Sequence, residues 1–102
     1  MNEIRNHHRL EKADVAFDAW KIHTGDRTEI VRVKLAPGEM IDHHVNPVTV
    51  FFYVLEGEGE LSVGEENLQM AKDDSIRVEK GLNRKWENTG SEPLEVLVIK
   101  QL

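Results

Sequence analysis

Hydrophobic and polar residues alternate in short runs along much of the chain. In residues 30–35 the odd positions are apolar, and in residues 75–79 Ile76 and Val78 alternate with polar residues. A period of two is typical of strands that bury one face. Turn residues separate these runs at the spacing that is typical of β-sandwiches and barrels. The pattern therefore predicts an all-β fold.

Two runs break this alternation. Residues 48–55 and 94–99 are apolar, or nearly so, at both odd and even positions. Such strands are expected to be covered on both faces. We expect a second copy of the chain, in a homodimer, and the N-terminal segment around Val15, Phe17 and Trp20 to cover the second face together. The alternative is a two-layer monomer in which the N-terminal segment provides all of the cover.

Size, charge and composition narrow the class of protein. The 102 residues are expected to form one domain, and the net charge of -6 argues against a nucleic-acid partner. The chain has no cysteine, which excludes disulfides and thiolate chemistry. Its apolar runs are shorter than the roughly 20 residues that span a bilayer, and its first residues carry no apolar segment of a signal peptide. We therefore expect a cytoplasmic protein with no membrane partner.

The stretch 51–61 is the strongest local signal. An apolar run ends at a turn that contains Gly57 and Gly59, and a second run begins immediately afterwards. Two strand-like runs joined by a short glycine-containing turn are typical of a β-hairpin. The sequence predicts a hairpin here.

Two spaced motifs between residues 36 and 99 match a known family in part. In the first motif Gly38, His44 and Gly57 occupy expected positions, whereas Asn46 and Val50 replace a histidine and a glutamate. The second motif keeps two positions and replaces the first glycine, the proline and the metal-binding histidine. The matching positions are Gly81 and Asn88, and the replacements are Asp73, Glu79 and Arg84. The turn and strand at residues 88–97 also match.

On these motifs the chain resembles the cupin superfamily, whose members are small jelly-roll barrels that often hold a metal or ligand inside. The resemblance implies a single-domain cupin jelly-roll β-barrel. Its core would comprise residues 36–102. Residues 1–35 would form an N-terminal segment and the first strands, packing on the barrel or on the dimer partner.

The replaced residues argue against the metal that the family often carries. Val50 has no lone pair, Asn46 is a weak oxygen ligand, and Arg84 places a fixed positive charge where a ligand belongs. We therefore expect no cofactor. A divalent transition metal, if bound, would use His44 with Asp42 and Asn46. Neighbouring strand residues such as His43 and His44 point to opposite faces unless a bulge intervenes.

The strand around residues 41–46 has two possible orientations. Alternation alone would bury Ile41 and Val45 and leave Asp42, His44 and Asn46 in solvent. The family resemblance implies the reverse, with those three polar side chains in the barrel and the two apolar ones outside. We favour the orientation that the resemblance implies.

These considerations predict a barrel that holds a small anionic organic molecule. The candidate ligand-binding residues are Asp42, His44, Asn46, Phe52, Arg84 and Trp86. Arg84 suits a carboxylate or phosphate, although an internal pair with Asp42 could satisfy it instead. The aromatic pair, Phe52 and Trp86, could equally be core.

Two other functions remain open, so the sequence does not decide whether the chain is an enzyme. As a metal-free isomerase or epimerase, the protein would use His44 as the catalytic base, oriented by Asp42, with Arg84 steadying an oxyanion. A metal-dependent dioxygenase or decarboxylase with an altered ligand set has less support. Alternatively, the cavity is filled and the protein works through its dimer surface.

Overall fold

Strands dominate the structure, a computed structural model that describes residues 2–13 and 15–102. A short 3-10 turn, His7–Arg9, precedes the first strand. The described residues form nine strands: β1 (Asp18–Thr24), β2 (Thr28–Leu35), β3 (Met40–Val45), β4 (Thr49–Glu56), β5 (Glu58–Val63), β6 (Glu66–Ala71), β7 (Ser75–Val78), β8 (Asn83–Glu87) and β9 (Leu94–Gln101). The predicted all-β fold is confirmed. No helix in these two ranges is long and apolar enough to cross a bilayer.

The strands form two antiparallel sheets. The larger sheet has the order β1-β2-β9-β4-β7, and the smaller has the order β3-β8-β5-β6. Buried residues of both sheets, such as Phe52 on β4 and Trp86 on β8, belong to one hydrophobic cluster. Two sheets that share a core in this way form a jelly-roll β-barrel, as predicted.

Period-two alternation decides which side chains fill this core. On β4, Val50, Phe52 and Val54 are at most 2% exposed, whereas Phe51 and Tyr53 are 37% and 36% exposed. Successive strand residues point to opposite faces of a sheet, so the first three side chains face the barrel interior. The other two lie on the outer face of the larger sheet.

That outer face carries an apolar patch. Strand pairing places Phe51 beside Ile99 and Tyr53 beside Leu97. At the β1 end of the face, the ring of His7 packs edge-on against Trp20, with ring centroids 4.7 Å apart. Tyr53 donates a 2.9 Å hydrogen bond to Asp73 Oδ1, and this bond raises the pKa of the phenol. The phenol therefore lies outside the barrel and keeps its proton.

The predicted hairpin at residues 51–61 is wrong, although both of its strands form. Strand β4 pairs with β7 and β9, whereas β5 pairs with β6 and β8 in the other sheet. The turn at Gly57 therefore carries the chain from one sheet to the other. Gly57 has a φ of 82°, and a Cβ there would lie 2.3 Å from the carbonyl oxygen of Pro93. Close approach of two backbones at this corner is what requires glycine.

Asn88 closes the turn before β9. Its side chain is 1% exposed and donates to the carbonyl oxygens of Leu35 at 3.0 Å and Glu92 at 2.8 Å. Its Oδ1 accepts the N–H of Gly90 at 2.9 Å. A buried side chain with these partners satisfies backbone groups that the strands leave unpaired. This motif residue therefore serves the fold.

Candidate ligand-binding site

A cavity of about 390 Å³ opens between the two sheets. Such a volume lies in the usual range for small-molecule sites, about 300–1,000 Å³. Most of its walls are apolar, and the lining includes Phe17, Val31, Val33, Ile41, Phe52, Trp86 and Val98. A larger groove of about 720 Å³ lies between residues 3–11 and β1, and its lining does not include Arg84.

Two polar side chains of the cavity wall are bridged by a third side chain that is not in the lining. Pairing of β3 with β8 places His44 opposite Arg84, and Asn46 follows directly after β3. The Asn46 side chain satisfies both neighbours when its oxygen faces the guanidinium. That oxygen then accepts from Arg84 Nη2 at 2.6 Å and Nη1 at 3.0 Å, while the amide nitrogen donates to His44 Nε2 at 2.7 Å. Asn46 is 7% exposed, so this connection is sheltered from water.

Arg84 is a half-buried cation against an aromatic floor. Its Cζ lies 5.3 Å from the centroid of the Phe52 ring. That ring meets Trp86 edge-on, with centroids 5.5 Å apart and planes at 80°. Burial lowers the pKa of the Arg84 guanidinium from its ordinary value. Among the residues that the structure describes, no ion pair includes Arg84.

The two aromatic residues lie both in the core and on the wall of the cavity. Phe52 and Trp86 are each 2% exposed and belong to the hydrophobic core. Both also line the cavity. Core packing and a wall for a ligand are compatible because the cavity opens directly from the core.

A β-bulge changes the expected orientation of β3. Ile41 lies opposite Trp86 and His44 opposite Arg84, so three steps along β3 match two steps along β8. An extra residue of this kind lets both Ile41 and His44 face inward. The expectation that Ile41 lies outside is wrong, because it packs against the core cluster. Val45 is 54% exposed, as expected for an outward side chain.

The bulge also moves Asp42 away from its expected partners. Asp42 is exposed at the rim of the cavity, and its Oδ1 accepts the N–H of His43 at 2.7 Å. Among the hydrogen bonds of the described residues, none joins Asp42 to His44 or Arg84. The internal Asp42–Arg84 pair and the orientation of His44 by Asp42 are therefore not observed. Asn46 is instead the side chain that contacts both Arg84 and His44.

The donor set does not fit the metal that the fold family often holds. Val50 is 1% exposed and packs in the core, and Arg84 is a cation bonded to Asn46. A cation would repel a divalent metal, and a valine cannot ligate one. Within residues 2–13 and 15–102, no three His, Asp, Glu or Cys side chains lie close enough to hold an ion.

The cavity entrance was not anticipated from the sequence. Lys100 Nζ lies 3.3 Å from Glu29 Oε1, and both side chains are 29% exposed. These residues pair across β2 and β9, which are far apart along the chain. Val15 and Phe17 also line the cavity. Knowledge of the strand register would have revealed the ion pair, but alternation along a single strand does not supply that register.

The fold and cavity place the chain among the jelly-roll barrels, and comparison identifies its family. A model of the Cupin domain family matches residues 31–100. The chain belongs to this family. The fold resemblance inferred from its partial motifs is thereby confirmed.

The proteins and structures that resemble this chain are named for different activities. The tetracenomycin polyketide synthase protein TcmJ of Streptomyces glaucescens is 30% identical over 66 residues, which cover 64% of this chain and 44% of TcmJ. The structure of a predicted oxalate decarboxylase from Thermotoga maritima superimposes with a TM-score of 0.90 at 18% identity, covering 98% of this chain and 99% of the other. The polyketide cyclase RemF from Streptomyces resistomycificus gives a TM-score of 0.86 at 15% identity, covering 99% and 80%. At these identities the two structures establish the fold alone.

Proposed function

We propose that this chain is a cytoplasmic, metal-free cupin that binds a small anionic organic molecule in its barrel. The observation that carries the proposal is the half-buried Arg84 guanidinium in a mostly apolar cavity. Arginine keeps its charge in proteins, and a charge removed from water needs a partner. Asn46 supplies hydrogen bonds to it but no negative charge. An anionic ligand would supply the missing charge.

The rest of the cavity supports an organic rather than an inorganic anion. Val31, Val98 and the aromatic pair, Phe52 and Trp86, offer apolar surface beside the guanidinium. Small-molecule sites typically combine such walls with a few polar groups that orient the ligand. The apolar part of an organic ligand would replace water on these walls, while its ionic group pairs with Arg84.

An anionic ligand should stabilise the protein through Arg84. At a ligand concentration a hundred times its Kd, we expect the free energy of unfolding to rise by about 2.7 kcal/mol. A thermal-shift screen of small aromatic and aliphatic carboxylates and phosphates would detect this as a higher Tm. In Arg84→Ala the same compounds should produce no shift, because the guanidinium that would pair with the anion is gone.

The matched control is Arg77→Ala. Arg77 lies on β7, is exposed and pairs with Glu79, so its removal changes the net charge equally without reaching the cavity. This variant should keep the ligand-induced shift. An equal shift in Arg84→Ala, or no shift with any anion in the unmodified protein, would refute the proposal.

A second candidate is an enzyme that uses His44 as a base. Its support is that the relative TcmJ is named for a polyketide synthase and that His44 lines the cavity. However, His44 Nε2 accepts a hydrogen bond from Asn46, so the proton of the neutral ring belongs on Nδ1. The ring then offers a donor, and base catalysis would require Asn46 to turn over. We therefore favour binding; turnover that is lost in His44→Ala would reverse this preference.

We also propose a homodimer formed through the outer face of the larger sheet. The patch around Phe51, Tyr53, Leu97 and Ile99 lies on neighbouring strands, and a two-fold axis would bring it onto its own copy. Light scattering at micromolar concentration should give twice the chain mass of 11.7 kDa. Phe51→Glu should give the monomer mass, because a charge would be buried at the interface. A monomer mass for the unmodified protein would contradict the proposed dimer.

A further inference from the structure

We infer that the ligand's ionic group is a single carboxylate held by one edge of Arg84, and that Asn46 is a positioning residue that does not touch it. This inference rests on the proposed function and adds the chemical class of the ligand. It follows from which parts of the guanidinium Asn46 and Phe52 already occupy.

A guanidinium presents its N–H donors along two edges suited to paired acceptors. The Asn46 oxygen accepts from both Nη1 and Nη2, so it occupies the end edge between them. The Phe52 ring lies against the group, with Arg84 Cζ 5.3 Å from its centroid. The Nε–H and the outer Nη–H form the remaining paired edge. Two coplanar oxygens of a carboxylate match such an edge with two parallel hydrogen bonds.

Charge balance selects one negative charge rather than two. Lys100 at the entrance is already paired with Glu29, and Lys21 lies exposed at the mouth. Lys85 also lines the cavity, but it lies between Arg84 and Trp86 on β8, so strand alternation directs its ammonium group towards the other face of that sheet. A doubly charged phosphate or phosphonate would therefore bring one charge into the apolar cavity without a partner, which is costly. A monocarboxylate leaves no negative charge without a partner.

Asn46 suits this arrangement because it is neutral. Its oxygen fixes the guanidinium in position and leaves the positive charge for the ligand. An aspartate of the same shape would hold Arg84 equally well but would neutralise it. The neutral amide of Asn46 therefore determines the specificity of Arg84 for an anion. An aspartate at this position would keep the structural contact and remove the specificity.

The first experiment compares three probes with one aromatic ring and different head groups: benzoate, phenylphosphonate and benzamide. Calorimetry is carried out at a pH where the phosphonate carries two charges. We expect benzoate to bind at least about tenfold more tightly than phenylphosphonate, a difference of about 1.4 kcal/mol, and benzamide to give no heat. Equal binding of the two acids through Arg84 would overturn this inference and leave the proposed function intact. If neither acid binds, or if binding survives in Arg84→Ala, the proposed function fails as well.

The second experiment uses Asn46→Asp, with Asn83→Asp as its matched control. Asn83 lies next to Arg84 on β8 and is exposed, and its amide faces His43 Nδ1 at 3.2 Å. Both variants add one negative charge near the site, but only the carboxylate introduced by Asn46→Asp can pair with the guanidinium. We expect Asn46→Asp to lose benzoate affinity by at least about tenfold, and Asn83→Asp to stay close to the unmodified protein. Equal affinities in the two variants would refute the role given to Asn46.

A third variant guards against a folding defect in Asn46→Asp. Arg84→Lys keeps the single charge but lacks the planar fork, so it should bind both acids more weakly and still prefer benzoate, because the charge balance is unchanged. Benzoate affinity equal to that of the unmodified protein would show that the paired edge of the guanidinium does not hold the carboxylate.

Discussion

Phe52→Ala is expected to lower the free energy of unfolding by about 3–5 kcal/mol. The side chain is 2% exposed, contacts Trp86 edge-on and lies beneath Arg84, so its removal leaves a void between the core and the site. A domain of ordinary stability has only about 5–15 kcal/mol to lose. Urea unfolding would show the loss as a lower midpoint at an unchanged slope.

The adjacent residue provides the matched control. Phe51→Ala deletes the same atoms on the outer face, where the residue is 37% exposed, and should cost about 1 kcal/mol. Both variants are measured over a wide range of protein concentration, because the proposed dimer would make only the Phe51 loss concentration-dependent. A small loss in Phe52→Ala, or an equal concentration-independent loss in both, would contradict the assignment of inner and outer faces.

Gly57→Ala is expected to cost about 3 kcal/mol or more, which is large for the addition of one methyl group. Gly57 has a φ of 82°, where an L-residue pays about 1–2 kcal/mol. The new Cβ would also lie 2.3 Å from the carbonyl oxygen of Pro93 and 3.0 Å from Leu94 Cα. Because these contacts are to backbone, one of the two chain segments must move. Chemical denaturation would measure the cost.

Gly81→Ala separates the two contributions. Gly81 has a φ of 83°, almost the value of Gly57, but a Cβ there would meet nothing within 4 Å. We expect it to lose about 1–2 kcal/mol, the cost of the backbone conformation alone. If the two variants lose the same free energy, the close approach of β4's end to the segment before β9 does not explain the glycine at 57.

Pairing partners and a bulge account for the main differences between expectation and structure. The strands on both sides of Gly57 were recognised, but their placement in different sheets depends on β7, β8 and β9, which are distant in sequence. On β3 the bulge between Ile41 and His44 cancels the alternation on which the orientation was argued. A bulge is set by the partner strand and by packing, and the residues of β3 contain no signal for it.

The sequence identified several residues of the candidate site but not the contacts between them. His44, Asn46 and Arg84 were identified from their motif positions, and the structure brings these three side chains into contact. An internal pair of Arg84 with Asp42 was one of two alternatives, but the side chain that contacts Arg84 is Asn46, because the bulge leaves Asp42 at the rim. The entrance pair, Glu29 and Lys100, depends on the register between β2 and β9.

By itself, the sequence determined the all-β class, the inward faces of regular strands such as β2 and β7, and the turns marked by Gly57 and Asn88. These features depend on neighbours one or two residues away, where alternation and backbone conformation act. Only the tertiary structure decided which strands pair, which way β3 faces around its bulge, and which group holds Arg84. Those outcomes depend on contacts between distant segments, and a shift of one residue in a strand reverses the face of every side chain after it.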